Sequence, residues 1–123
     1  MILIKKLLDQ PAFLAGDHTW LREWLHPAND KIDLPYSIAE AGLEAGKQSL
    51  PHRLDQMEVY IFFQGSGTLI VDGEEHLVAV GTLAAVPPKA TQYVGNTGTV
   101  DLKFLCLVNP PWSAGGEEVL QEN

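Results

Sequence analysis

His52, Gln56, Glu58 and Tyr60 put an imidazole, an amide, a carboxylate and a phenol at positions of one parity, with Leu54 between them. On an unbroken strand these side chains project from a single face. Such a face makes a poor dry core, because every buried polar group needs a partner. It is a reasonable lining for a pocket. His52 with Glu58 can be read as two ligands of a divalent metal, or as a hydrogen-bonded pair in a metal-free pocket. Tyr60 reads as a packed wall with a satisfied hydroxyl, since a phenol titrating near about 10 is a poor proton donor at neutral pH.

Other reactive side chains have plainer readings. In the run Asp101 to Val108, alternation turns Lys103 to solvent and Leu102, Phe104, Cys106 and Val108 inward. Phe104 and Cys106 thereby join Tyr60 as residues expected to shape the pocket. No basic residue is evident beside Cys106 to lower its thiol pKa, which argues against a nucleophile. His26 precedes a proline and reads as a surface or capping residue, while His18 and His76 are expected to face water. Trp20, Trp24 and Trp112 read as packing residues. A Ser-His-Asp elbow, a phosphate loop and a CxxC pair are all missing from the sequence.

The elements that must position these groups are short and extended. Met1 to Ile4 reads as an edge strand, and Leu7 to Ala15, broken by Pro11, as no regular helix. Thr19 to Leu25 and Tyr36 to Leu43 read as strands, separated by a loop at His26 to Asp30. Leu54 to Phe63 forms the regular part of the strand carrying Glu58 and Tyr60. Asp72-Gly73 between Thr68–Val71 and Glu74–Val80 is the two-residue signal of a type I′ hairpin. Pro87-Pro88-Lys89 forms a turn, Thr91 to Val94 a strand, and Asn96 to Thr99 a second hairpin turn. The acidic segment from Ser113 to Asn123 reads as a short helix or as disordered. Many short strands with glycine turns and no long helical period indicate an all-β sandwich or barrel.

The 123 residues suffice for one domain, 1–123, with a sizeable core. Hydrophobic residues at 46% and charged residues at 20% fit a soluble globular chain, and no apolar run approaches a membrane span. A net charge of −8 with only eight scattered basic residues argues against nucleic-acid binding. Cys106 is the only cysteine, which excludes an internal disulfide and fits a reducing compartment; a cytoplasmic protein is expected. No signal-peptide pattern follows Met1 to Leu8.

The spacing around His52 resembles the first motif of the cupin family, which reads Gly, five residues, His-x-His, three or four residues, Glu, six residues, Gly. Gly46, His52, Glu58 and Gly65 keep it, with Leu54 in place of the second histidine. The second cupin motif, Gly, five residues, Pro-x-Gly, two residues, His, three residues, Asn, is similar to Gly81, Pro87, Lys89, Gln92 and Asn96. Here Lys89 replaces the second glycine and Gln92 the ligand histidine. The chain also resembles a subgroup of small single-domain cupins with His52-Arg53-Leu54 before Glu58-Val59-Tyr60, Gln92 at the last position, the Leu25-His26-Pro27 loop, and Pro111-Trp112 after the last strand.

The resemblance implies a jelly-roll barrel, also described as a double-stranded β-helix, in which His52, Glu58 and Gln92 stand at the metal-ligand positions. One nitrogen, one carboxylate and one amide oxygen suit a divalent transition metal (Fe, Mn, Ni, Co or Zn) less well than three histidines. For Gln92 a plain hydrogen bond to Glu58 or His52 is an equal alternative. Two functions follow: a metal-dependent enzyme with dioxygenase, isomerase or lyase chemistry, or a metal-free module that binds a small ligand or regulates without catalysis. A homodimer is expected from the small domain and from the apolar N-terminal strand, which would pair across an edge.

Overall fold

The computed structural model describes residues 2–120. Among the described residues, eleven strands form two antiparallel sheets. The six-stranded sheet contains β1 (Phe13–Leu14), β2 (Trp20–Leu25), β3 (Ser37–Leu43), β5 (Met57–Gln64), β8 (Leu83–Val86) and β10 (Leu102–Asn109), in the order β1-β2-β3-β10-β5-β8. The five-stranded sheet contains β4 (His52–Leu54), β6 (Ser66–Val71), β7 (Glu74–Ala79), β9 (Gln92–Gly95) and β11 (Glu117–Val119), in the order β11-β4-β9-β6-β7. The architecture is the jelly roll that the cupin resemblance implies, within the all-β class expected from the strand pattern.

Alternation positions the core. In β10, Leu102, Phe104, Cys106 and Val108 are buried while Lys103, Leu105 and Leu107 between them are half-exposed. β5 buries Glu58, Tyr60 and Phe62 by the same rule. Phe62, Tyr60 and Phe104 form an aromatic cluster with ring centroids 5.1–5.9 Å apart, packed with Leu69, Val78 and Val94 from the opposite sheet. Aromatic pairs at this separation add to the gain from area burial alone.

The strand carrying the polar residues is not continuous. β4 ends at Leu54 and β5 starts at Met57, so the chain changes sheet across Asp55 and Gln56. The common parity still sends His52, Leu54, Gln56, Glu58 and Tyr60 into the interior, but from two facing walls. Gly65 makes the tight turn from β5 back into β6 with φ 80°, and a Cβ there would meet the Asp101 carbonyl oxygen at 2.8 Å. A side chain is excluded on both counts.

Asp72 and Gly73 both take positive φ, 49° and 81°, as a type I′ turn requires, and they join β6 to β7 as expected. Four local expectations change. Residues 2–4 form no strand and are exposed, and Met1 lies outside the described residues. The loop after β2 contains one helical turn, α1 (Pro27–Asp30), because His26 caps it and Pro27 fits its first position. Asn96 to Thr99 is a crossover between sheets and not a hairpin, since β9 and β10 belong to different sheets. Its anchor is Asn96, whose amide donates to the Leu43 and Val100 carbonyls and whose oxygen accepts from Gly98 N–H.

The C-terminal segment forms a 3₁₀ turn at Ala114–Gly116 and then β11, which pairs with β4; residues 121–123 lie outside the described part. No described helix is long and apolar enough to cross a membrane.

Candidate functional site

Between the sheets lies a cavity of about 230 Å³. His52 and Leu54 reach it from β4, Glu58 and Tyr60 from β5, and Phe104 and Cys106 from β10. The cavity is smaller than the roughly 300–1,000 Å³ pockets that take drug-sized ligands, which suits a molecule of about one ring.

His52 sits at the centre of the polar end. Its Nδ1 lies 3.1 Å from the Leu50 carbonyl oxygen. A carbonyl only accepts, so Nδ1 carries the proton, and in the neutral ring the lone pair is on Nε2. That nitrogen faces Glu58 Oε1 at 4.0 Å. Glu58 is 6% exposed, and its Oε1 is buried with no hydrogen-bond partner. Burial pushes the carboxyl up to about 7, against the opposing pull of His52 beside it. Burial likewise raises the hydroxyl of Tyr60 and the thiol of Cys106 well above their ordinary values, with the neighbouring Glu58 charge adding to both. Both groups therefore stay protonated, and Cys106 is no nucleophile.

Gln92 is the register partner of His52 across β4 and β9, and it is 1% exposed. Its Oε1 accepts the Tyr60 hydroxyl proton at 2.5 Å, and Gln92 takes no part in the cavity wall. The structure thus brings His52, Glu58, Tyr60, Phe104 and Cys106 to one cavity and turns Gln92 to an adjacent bond. With Leu54 apolar and the Gln92 oxygen engaged, His52 Nε2 and Glu58 are the two donors left to share an ion. The described residues include no group of three or more His, Cys, Asp or Glu side chains placed to hold a metal. This donor set, as it stands, does not fit a resident three-ligand metal.

The sequence reading missed Asp17. Its Oδ1 accepts from Thr19 N–H at 3.1 Å and Thr19 Oγ1–H at 2.7 Å, which holds its Oδ2 3.8 Å from His52 Nδ1. Asp17-His18-Thr19 is a recognisable Asx-turn pattern, but nothing local says that it lies against His52. Glu23, His26, Trp112 and Glu117 also line the cavity. His26 is the capping residue expected: its Nδ1 accepts from Ala28 N–H, and Nε2 donates to the Trp112 carbonyl at 2.8 Å. His76 is exposed on β7, as expected.

The family model described as the cupin domain matches residues 39–108, and the chain belongs to the cupin family. An uncharacterized protein of Methanocaldococcus jannaschii is 33% identical over 123 residues, with 98% of each chain covered. Among solved structures, the polyketide cyclase RemF from Streptomyces resistomycificus is similar with a TM-score of 0.82 at 16% identity, covering 100% of this chain and 88% of that one. A predicted oxalate decarboxylase from Thermotoga maritima has a TM-score of 0.77 at 16% identity, covering 88% and 99%. Pac13 of Streptomyces, a nucleoside dehydratase, has a TM-score of 0.77 at 15% identity, covering 98% and 92%. At these identities the likeness to solved structures is one of fold.

Proposed function

We propose that this cupin, acting as a single domain over 1–123, binds a small organic molecule between its sheets and exchanges a proton with it through Glu58 and His52. The observation that carries this reading is Glu58 itself: a buried carboxyl at the cavity wall, raised to about 7, with one oxygen unpartnered. A carboxyl titrating there is populated in both forms at neutral pH, so it can give or take a proton. His52 Nε2, 4.0 Å away, is the complementary acceptor in the neutral ring, and Asp17 behind it stabilises the imidazolium once formed. Phe104, Cys106 and the Tyr60 ring supply the walls that exclude water. Structural relatives named for a cyclase and a dehydratase support small-molecule chemistry in such a barrel.

A second reading keeps a divalent ion (Fe, Mn, Ni, Co or Zn) at His52 and Glu58, with Gln92 as third donor if Tyr60 releases it. The fixed Nδ1–H of His52 favours it, because a metal-bound imidazole needs its other nitrogen held in this way. Elemental analysis of protein purified without chelator separates the two: substoichiometric metal is expected, and a full equivalent would establish the metal reading. Ligand-observed NMR screening against wild type and Glu58→Gln then tests the pocket. Fragments are expected to bind and to respond to the substitution; a screen with no binder, or none sensitive to Glu58, would overturn the proposal.

A further inference from the structure

We infer that the cavity selects an organic cation, a small ammonium ligand carrying an apolar or aromatic body. The inference deepens the pocket reading above and rests on it. Charged groups around the cavity rim are of one sign: Asp17, Glu23 and Glu117 contribute carboxylates, and among the described residues no Lys or Arg lines the cavity. Each outer carboxylate is only half used. Asp17 holds Thr19 through Oδ1, Glu23 takes Asn29 Nδ2–H on Oε2 at 2.7 Å, and Glu117 takes the Trp112 indole N–H on Oε2 at 3.3 Å.

The deeper observation is independent of that cluster. Glu58 is 6% exposed, lines the cavity, and has an oxygen with no hydrogen-bond donor on it. A buried acceptor left empty is costly, and of the donors beside it the Tyr60 hydroxyl is given to Gln92 while the Cys106 thiol is a weak one. A donor brought by the ligand would fill it. The histidines offer little to an anion: both ring nitrogens of His26 are engaged, and His52 Nδ1 is held by Leu50.

An organic anion would leave water to face several carboxylates without a positive partner, which is unfavourable whatever its shape. An ammonium group gains the attraction of those carboxylates, strengthened by the low-dielectric walls and by the net charge of −8. The rest of the lining matches the rest of such a molecule. Phe13, Tyr60, Phe104 and Trp112 present aromatic surface, against which both an apolar body and a cation are favourable. A bare metal ion would use the charges but not these walls, and among the described residues it finds no group of three donors.

The test uses three probes of one shape: benzylamine, benzyl alcohol and benzoate, titrated into the full chain by heteronuclear NMR. Benzylamine is expected to bind at least about tenfold more tightly than benzyl alcohol, and benzoate not to bind. Asp17→Asn, which keeps an acceptor for Thr19, and Glu117→Gln are each expected to weaken benzylamine about three- to tenfold while leaving benzyl alcohol unchanged. The unchanged alcohol affinity shows that the variant cavity is intact. Equal binding of all three probes, with shifts at Tyr60 and Phe104, would overturn the cation preference and leave the small-molecule pocket standing. Binding of benzoate alone, or failure of benzylamine to bind at millimolar concentration, would also overturn it, as would stabilisation by Mn²⁺ or Zn²⁺ and not by benzylamine.

Discussion

The Tyr60 hydroxyl donates to Gln92 Oε1 across the barrel interior, tying the six-stranded sheet to the five-stranded sheet through one buried bond. It joins the ring that walls the cavity to the side chain beside His52 in register. Tyr60→Phe would leave the Gln92 oxygen buried and unsatisfied, and is expected to lower unfolding stability by about 1–3 kcal/mol. Tyr60→Phe with Gln92→Leu removes both partners, so the double variant is expected to recover part of the loss. Urea denaturation of the four-member cycle measures the coupling.

Glu58 makes stability fall as pH rises. Its carboxyl moves from the usual 4.5 to about 7 on folding, so between those values the folded chain binds more protons than the unfolded one. The stabilisation is full below about 4.5, declines through the window, and is gone above about 7. Glu58→Gln carries no charge to bury. It is expected to flatten this profile and to exceed wild type above pH 7 by up to about 3 kcal/mol, as thermal or urea melts from pH 4.5 to 8.5 would show.

Leu54 lies on the same strand face as His52, is 3% exposed and lines the cavity. Leu54→His would add the missing imidazole of the first cupin motif. In chelator it is expected to cost about 1–3 kcal/mol, the penalty of a polar group in an apolar site. With Zn²⁺ or Ni²⁺ the variant is expected to regain stability and to bind the ion, where wild type gains little. Equal melting temperatures with metal and with chelator would show that His52 and Glu58 do not form half of a cradle.

Lys89 has φ 72°, a left-handed conformation in which the second cupin motif carries glycine. Its N–H donates to the Leu54 carbonyl at 2.6 Å, so the turn stays in place despite the side chain. Lys89→Gly removes the clash of Cβ with the backbone and is expected to raise stability by about 1 kcal/mol, less the entropy glycine adds to the unfolded chain. A lower melting temperature would count against this.

A homodimer is proposed from apolar surface. Ile2, Ile4 and Leu8 are 79–87% exposed, and Leu77, Val80 and Leu83 add a second apolar region at the end of β7 and the start of β8. Static light scattering at micromolar concentration is expected to give twice the 13.5 kDa chain mass, and a monomer mass would refute it.

Much of the barrel could be read from spacing, because turns and alternation are local. Asp72-Gly73, Gly65 and the alternation of β10 each declare themselves within a few residues. The inward parity of His52, Glu58 and Tyr60 was legible too, but not that His52 and Glu58 come from opposite walls, since the break at Asp55 and Gln56 shows only once β4 and β5 pair with different partners. The bond of Gln92 to Tyr60 depends on packing between sheets, and ligation or a bond to Glu58 read equally well from sequence. Asn96 to Thr99 resembles any glycine hairpin; only the sheet order marks it as a crossover.

The match to the family model ends at both edges of the cavity. His52, Glu58, Tyr60, Phe104 and Cys106 lie within residues 39–108, whereas Asp17, Glu23, His26, Trp112 and Glu117 lie outside them. The floor is thus the part the family model covers, and the rim comes from two flanking segments, β11 hydrogen-bonding beside His52 and Asp17 approaching its ring. The segments differ in how far they are tied to the barrel: β2 pairs with β3 from Trp20 to Leu25, whereas β11 pairs only with the three residues of β4. Residues of the C-terminal segment are therefore freer to change, and on the function proposed above they would alter the choice of ligand without touching His52 or Glu58.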